Sequence, residues 1–235
     1  MHIFYAPDIL NTNQLPQEEA QHCIRVLRLK EGDEIRITNG FGYFFDAIIA
    51  TISSKHCHVR ILKETKQSPL WQNRIHIAVA PTKNMDRNEW FAEKATEIGI
   101  NKISFLNCRY SERKEIKSKR IEKILISAMK QSQKATLPEL QGLVNFKQFI
   151  SQNIEGQKFI AHCYNEEKTL LSHAYKKGQN ATILIGPEGD FSEEEVVMAI
   201  KQGFQPISLG ESRLRTETAA LVACQTIHVV NSIPK

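Results

Sequence analysis

Two glycine-containing turns in the last quarter of the chain hold the residues whose types and spacing best suit ligand chemistry. Residues 183–192 lead from an apolar segment through Gly186 and Gly189, and residues 207–219 lead from a second apolar segment through Gly210. Glycine lets a backbone come close to a ligand because it has no Cβ atom. Open α/β sheets bind ligands at the carboxyl ends of neighbouring strands. The pattern therefore predicts that both turns contribute to one ligand site.

Arg215 and Glu217 follow the second turn and are the candidates for chemistry. A guanidinium group stays charged and donates in a fork, so Arg215 could stabilise a developing anion or clamp a phosphate. Glu217 could accept a proton, or it could hold Arg215 by an ion pair. The structural alternative for Glu217 is the acidic first turn of the last helix, with Thr216 or Thr218 as the cap.

The elements that must position these residues change in type near residue 70. Before it, short apolar segments joined by tight turns predict strands at 34–38, 43–54 and 57–63 and a small β-barrel-like domain. After it, strands and helices alternate, which indicates an α/β domain with a mostly parallel sheet. The predicted strands span residues 75–80, 102–107, 158–163, 181–186 and 206–209, and the predicted helices span residues 86–98, 118–133, 166–177, 192–202 and 216–230. Ser192 with Glu195 predicts a capping box.

Composition limits the class of protein. The 235 residues are 41% hydrophobic, enough for a packed core. No long apolar run and no signal-like start are present, so we expect a soluble cytoplasmic protein. The five cysteines contain no CxxC pair, which favours reduced thiols over disulfides or structural zinc. In His56, Cys57 and His58 strand alternation puts the thiol opposite the imidazoles, so no metal is expected.

The net charge of +5 is concentrated in the middle of the chain. Its basic residues there are Arg109, Arg113, Lys114, Lys117, Lys119, Arg120, Lys123, Lys130 and Lys134. Such a cluster is typical of a phosphate-binding surface. The alternative is a solvated helix face, because apolar residues recur at helical spacing in the same segment.

A family resemblance rests on several of these segments together. The Gly-Pro-Glu-Gly turn at 186–189, the Leu-Gly pair at 209–210 and the run at 214–219 resemble the carboxyl-terminal signature of the knotted SPOUT methyltransferases. More narrowly, the chain resembles the RsmE-type enzymes that methylate N3 of a uridine in 16S ribosomal RNA. The resemblance extends through residues 22–32, 79–83, 89–99 and 131–138, and covers nearly the whole chain.

The resemblance implies a PUA-like RNA-binding β-barrel at residues 1–70 and a knotted α/β methyltransferase domain at 71–235. It also implies S-adenosylmethionine as cofactor, 16S ribosomal RNA or the small subunit as partner, and a homodimer in which RNA crosses between subunits. For this reaction Arg215 and Glu217 are the candidate catalytic residues, because the N3 proton must be accepted or the resulting anion stabilised. The implied cofactor-binding residues are Ile185, Gly186, Pro187, Glu188, Gly189, Ser208, Leu209, Gly210, Leu214 and Thr218, and the RNA-binding candidates are Arg25, Arg28, Arg109, Arg113, Lys114, Lys117, Lys119 and Arg213.

Two positions depart from the family pattern. Asp190 stands where the family usually has a second glycine, and Ser212 precedes Arg213 where the family more often has an arginine followed by an aliphatic residue. Two other functions stay open at this point: a knotted methyltransferase that acts on transfer RNA, and an RNA-binding assembly factor without turnover. Binding of S-adenosylmethionine followed by methyl transfer separates an enzyme from a binding protein.

Overall fold

The computed structural model describes residues 2–234 and divides into two compact units. The first unit comprises the chain up to Pro69 together with Ile126–Leu137, and the second comprises Leu70–Leu125 together with the chain from Pro138 onward. No helix within residues 2–234 has the length and apolar character needed to cross a membrane.

The first unit is built around a four-stranded sheet in which β1 pairs with β2 in parallel and the other pairs are antiparallel. Its elements are β1 (Ile3–Tyr5), α1 (Ile9–Thr12), α2 (Gln17–Gln21), a π-helix (His22–Val26), β2 (Glu34–Thr38), β3 (Tyr43–Ile52) and β4 (Cys57–Lys66). Apolar residues alternate along β2 and β3, and their buried faces pack into one core with Phe4, Ile9 and Leu15. The strands predicted from alternation are confirmed, and β1 was missed.

A distant segment of the chain completes this unit. The Thr38 hydroxyl donates to the carbonyl of Ala135 at 3.1 Å, and the amide of Leu137 donates to the carbonyl of Gly40 at 2.9 Å. Gln67 accepts a hydrogen bond from the Ala135 amide at 2.7 Å. These bonds satisfy backbone groups that the turn between β2 and β3 leaves unpaired.

The second unit alternates strands and helices. Its elements are β5 (Ile75–Val79), α3 (Met85–Ile98), β6 (Lys102–Asn107), α4 (Ser118–Gln131, of which residues 126–131 belong to the first unit), β7 (Glu139–Asn145), α5 (Phe146–Ile150), β8 (Gln157–Ala161), β9 (Thr169–Leu170), α6 (Leu171–Ala174), β10 (Ala181–Ile185), α7 (Glu193–Lys201), β11 (Gln205–Ser208) and α8 (Thr216–Ser232). The strands form a seven-stranded sheet of order β7-β6-β5-β10-β8-β11-β9, and every pair is parallel. The expected α/β class with a parallel sheet is confirmed.

The sheet order places the carboxyl end of β8 between those of β10 and β11. The two glycine-containing turns therefore leave the same edge of the sheet with one strand between them. β10 is buried along its whole length, as expected for a central strand covered on both faces.

Several local predictions are confirmed and others are wrong. Ser192 and Glu195 form the predicted capping box at the start of α7. The helix predicted at 166–177 is wrong, because that segment holds only β9 and the short α6. The predicted set also lacked β7 and α5. β7 has intermediate burial along most of its length, which weakens the apolar signal of a strand at this edge of the sheet.

Candidate functional site

A cleft of about 460 Å³ lies at the carboxyl edge of the sheet in the second unit. Its lining consists of residues 207–214 with Ala161, His162, Cys163, Lys168 and Ala219. We call residues 208–214 the cleft turn. One side of the cleft is apolar and suited to a flat ring; it is formed by Ile207, Leu209, Leu214 and Ala219. The charged residues of the lining are Lys168, Glu211 and Arg213.

The cleft divides the predicted cofactor residues into two groups. Ser208, Leu209, Gly210 and Leu214 line it. Ile185, Gly186, Pro187, Glu188, Gly189 and Thr218 are described residues that lie outside its lining. The second group lies at the end of β10 and in the turn that follows it, one strand away from the cleft, except for Thr218, which precedes the lining residue Ala219 in α8.

The turn after β10, residues 186–191, is called the proline turn here, and its atoms face protein neighbours. A Cβ added at Gly186 would lie 3.0 Å from the Phe191 nitrogen, and one added at Gly189 would lie 3.3 Å from Cβ of Tyr110. The lack of a Cβ atom at both glycines was interpreted above as allowing a ligand to approach the backbone. Their neighbours give a different reason for glycine, which is closure of the turn on Phe191 and contact with Tyr110.

Asp190 stands where the family usually has glycine, and its backbone has a conformation that glycine favours. Its φ is 66°, in the left-handed region that Asp and Asn tolerate better than most residues. The carboxylate accepts from the Cys163 amide at 2.6 Å and from the Phe191 amide at 2.7 Å. The bond to Cys163 ties the proline turn to the end of β8, so the side chain supplies contacts that glycine could not.

Helix α8 begins directly after the cleft turn and is bonded to the proline turn. Arg215 is its N-cap residue without a side-chain cap, and the Thr216 hydroxyl donates to the carbonyl of Gly186 at 3.0 Å. The expectation that Thr216 or Thr218 caps this helix is therefore wrong. Thr216 instead joins the helix start to the proline turn.

Glu217 is buried at the start of α8, and its partner differs from the predicted one. Its Oε1 lies 3.6 Å from Nε of Arg87 on α3, and its Oε2 is buried with no hydrogen-bond partner among residues 2–234. The side chain of Arg215 is exposed and forms no ion pair within the described residues. The ion pair suggested between Glu217 and Arg215 is replaced by one with Arg87, which leaves a buried carboxylate oxygen without a partner in the described chain.

The predicted RNA-binding residues of the second unit differ in how freely their side chains extend. Lys117, Lys119 and Arg213 are exposed. Arg109 pairs with Glu194 at 3.5 Å, an exposed pair that adds little stability. Lys114 donates to the Asn107 side chain at 3.1 Å, and Arg113 is the most engaged of the set, since its guanidinium donates to backbone carbonyls.

The two candidates of the first unit flank the end of the π-helix. Arg25 lies in its last turn, and Arg28 follows with a φ of 55°. Both side chains are exposed. The short helix α2 continues here as the π-helix, and π-helical turns often occur at functional sites.

Sequence reasoning missed the wall of the cleft that follows β8. His162 is buried there, and burial lowers its pKa, so the ring is neutral near pH 7. Its Nε2 lies 3.1 Å from Oε1 of Glu166 without hydrogen-bond geometry, and neither ring nitrogen has a hydrogen-bond partner within residues 2–234. Burial also raises the pKa of the Cys163 thiol, which argues against a nucleophilic role. Only the sheet order, with β8 between the two turns, could have identified these residues.

Comparison with known proteins gives this site its context. Residues 49–228 match the RNA methyltransferase domain family, and residues 15–62 match the RNA methyltransferase PUA domain. A ribosomal RNA small subunit methyltransferase E of Buchnera aphidicola is 32% identical over 96% of this chain and 92% of its own length.

Two solved structures share the whole architecture. One, from Porphyromonas gingivalis, is 46% identical with a TM-score of 0.94 and covers 99% of both chains. The other is a ribosomal RNA small subunit methyltransferase E of Neisseria gonorrhoeae bound to S-adenosyl methionine. It is 26% identical, has a TM-score of 0.86 and covers 97% of both chains.

A PUA-like domain joined to a parallel α/β domain with a cleft at the carboxyl edge of its sheet defines a class of RNA-modifying enzymes. The extent of these matches places the chain within one branch of that class. It belongs to the RNA methyltransferase family, in the group of the small-subunit ribosomal RNA methyltransferases E.

Proposed function

We propose that this protein transfers a methyl group from S-adenosylmethionine to N3 of a uridine in 16S ribosomal RNA, in the cytoplasm. The observation that carries the proposal is the cleft lined by residues 207–214, which lies beside the start of α8 in a chain of this family. The resemblance described above supplies the choice of nucleotide and atom.

The residues of the cleft fit the cofactor in size and chemistry. Its apolar lining suits an adenine ring, and the backbone of residues 208–210 offers donors and acceptors at its edge. When bound, S-adenosylmethionine supplies a methyl group on a sulfonium, which is reactive enough that alignment is the main task left to the protein.

Two residues at the start of α8 meet the remaining demands of the reaction. N3 of uracil is a poor nucleophile until it loses its proton, so a base must accept that proton. Glu217 is suited to this role because its Oε2 is buried and has no hydrogen-bond partner within the described chain. The exposed Arg215, two residues earlier, is placed to stabilise the imide anion or to hold a neighbouring phosphate.

RNA recognition is proposed to use basic residues of both units, all exposed except the partly buried Arg113. Phosphate contacts of this kind supply affinity without sequence information. The candidates are Arg25, Arg28, Arg109, Arg113, Lys114, Lys117, Lys119 and Arg213. We further propose that two copies of the chain act together, with RNA held by the first unit of one copy and methylated at the cleft of the other.

The test is single-turnover methylation of purified small ribosomal subunits across pH, with the product nucleoside identified by mass spectrometry. Arg215→Ala should retain cofactor affinity and lose most of the methyl transfer, since the guanidinium acts on RNA or on the developing charge. Glu217→Gln should lower the rate by about 10²-fold to 10⁴-fold and change its pH profile, as expected for loss of a general base.

Each outcome has a clear meaning. Full activity in both variants would remove Arg215 and Glu217 from the mechanism. A wild-type product other than N3-methyluridine would overturn the assigned atom, and the absence of any labelled nucleoside would favour a binding protein.

A further inference from the structure

The side chain of Arg113 forms hydrogen bonds to the backbone of the same chain. Its Nε donates to the carbonyl of Thr82 at 3.0 Å, and its Nη2 donates to the carbonyl of Lys83. A guanidinium that grips two consecutive carbonyls is held in one orientation, because its donors form a rigid fork. Only part of its hydrogen-bonding capacity remains for a phosphate.

The loop that Arg113 holds reaches the proline turn. The amide of Lys83 donates to Oε1 of Glu188 at 2.9 Å, and Glu188 lies in the middle of that turn. The same loop is fixed from α3, where the Asn88 side chain accepts from the Thr82 amide at 2.8 Å. A continuous path of hydrogen bonds therefore leads from Arg113 through Lys83 to Glu188.

Arg113 also lies within the segment that carries exposed cations. Lys114, Lys117 and Lys119 follow it within six residues. The start of the segment is anchored by the Arg109 amide, which donates to Oε1 of Glu195 at 2.8 Å. The segment proposed for phosphates is thus bonded both to α7 and to the loop at residues 82–83.

The neighbouring ion pair does not explain this connection. Glu112 pairs with Lys83 at 2.9 Å, but both side chains are more than half exposed. Exposed pairs contribute little, because solvent screens them and two long side chains must be ordered. The two bonds from the Arg113 guanidinium to carbonyls are charge-assisted and therefore stronger.

We infer that Arg113 is a positioning residue that couples the basic segment to the proline turn. It orders the loop at residues 82–83, and through Lys83 and Glu188 that loop fixes the turn whose Gly186 carbonyl receives the start of α8. RNA phosphates bound by the neighbouring lysines would then stabilise the arrangement of Arg215 and Glu217. The inference rests on the proposed function for the catalytic roles of those two residues, whereas the ordering of the turn does not depend on them.

The test compares three variants that separate charge from geometry. Arg113→Lys keeps the positive charge but cannot grip two carbonyls, and Lys117→Gln removes a nearby charge that makes no described side-chain contact. Glu188→Ala breaks the same path from its other end. Hydrogen exchange at the Lys83 amide is measured without cofactor or RNA, and RNA affinity and single-turnover rate are measured separately.

In Arg113→Lys the Lys83 amide should exchange about tenfold faster than in the wild type, which corresponds to a fall of about 1.4 kcal/mol in the free energy of local opening. Its single-turnover rate should fall about tenfold at saturating RNA, while RNA affinity stays within about twofold. Lys117→Gln should do the reverse, with weaker RNA binding, a smaller salt slope and unchanged exchange.

Wild-type exchange and rate in Arg113→Lys would overturn the inference. If that variant fails to fold, Glu188→Ala decides the matter through its single-turnover rate at saturating RNA, which should fall about tenfold; a wild-type rate in it would contradict the path. A wild-type protein that methylates no RNA would overturn the proposed function, and the exchange result would still decide whether Arg113 orders the turn.

Discussion

The proline turn and the cleft turn were predicted as equivalent halves of one cofactor site, and the structure gives them different characters. The proline turn is bonded to three other parts of the unit, through Glu188 to Lys83, Asp190 to Cys163 and Gly186 to Thr216. Within the described residues, the side-chain hydrogen bonds of the cleft turn are local, between Ser208 and Gly210 at 3.1 Å.

This difference teaches that a glycine-rich turn can serve structure or ligand binding with a similar sequence pattern. A turn whose polar groups are satisfied by protein has fewer left for a ligand, and a turn with open space and unsatisfied backbone has more. We therefore propose that the proline turn is the scaffold and that the cleft turn is the surface that meets the cofactor. The predictions below test that division.

Gly186→Val gives the largest expected effect. A Cβ at this position meets the Phe191 nitrogen at 3.0 Å and its ring at 3.1 Å, and backbone atoms cannot rotate away. The free energy of unfolding should fall by about 3 kcal/mol, as for other overpacked sites. Urea unfolding measures this loss. The control is Ser212→Val in the exposed cleft turn, whose free energy of unfolding should stay within about 0.5 kcal/mol of the wild-type value. Equal losses in both would erase the distinction between the turns.

Acid should lower the stability of the second unit through a residue that lies in neither turn. His76 lies inside β5, and burial lowers its pKa from 6.5 to about 3, with its Nε2 bonded to Ser104 at 2.8 Å. Below pH 6.5 the unfolded chain binds a proton that the folded chain does not, so stability falls as pH falls. Between pH 7 and pH 5 this group should remove about 2 kcal/mol from the free energy of unfolding.

His76→Gln tests the acid prediction, because it removes the titrating group and keeps a polar side chain. Its unfolding free energy should be lower at pH 7 and change about 2 kcal/mol less than the wild type between pH 7 and pH 5. An identical pH dependence in the two proteins would exclude His76 as the source.

Gly210→Ala should act on binding rather than on folding. Gly210 has a φ of 123°, which side chains rarely adopt, while a Cβ there would meet no atom within 4 Å. The turn must shift to relieve this strain, and affinity for S-adenosylmethionine should fall about tenfold, or about 1.4 kcal/mol. Calorimetry measures the affinity, and Ser212→Ala serves as control. Unchanged affinity in the folded variant would remove the cleft turn from the cofactor site.

The order of elements could be predicted from sequence, and the relations between strands could not. Alternation and capping located β10, α7 and Ser192 because those signals are local. The wall after β8 was missed because β8 precedes both turns in the chain and lies between them only in the sheet. The suggested ion-pair partner of Glu217 was wrong for the same reason, since Arg87 is distant from Glu217 in sequence and Arg215 is near.

Asp190 gives the smallest and most specific test, because two substitutions separate its backbone from its side chain. Asp190→Gly keeps the left-handed backbone at φ 66° and removes the carboxylate that binds the Cys163 amide at 2.6 Å. Asp190→Ala loses the same bond and adds the cost of a Cβ in this conformation. The alanine variant should therefore be less stable than the glycine variant by about 1 kcal/mol in urea unfolding.

Cofactor affinity should change little in either Asp190 variant if the proline turn is a scaffold, because the side chain bonds protein amides and not the cleft turn. Calorimetry with S-adenosylmethionine supplies that second readout on the same two proteins. A loss of affinity larger than the loss of stability, and equal in both, would show that the carboxylate itself faces the ligand. The proline turn would then join the cleft turn as a binding element, and the difference in character drawn from their hydrogen bonds would not hold.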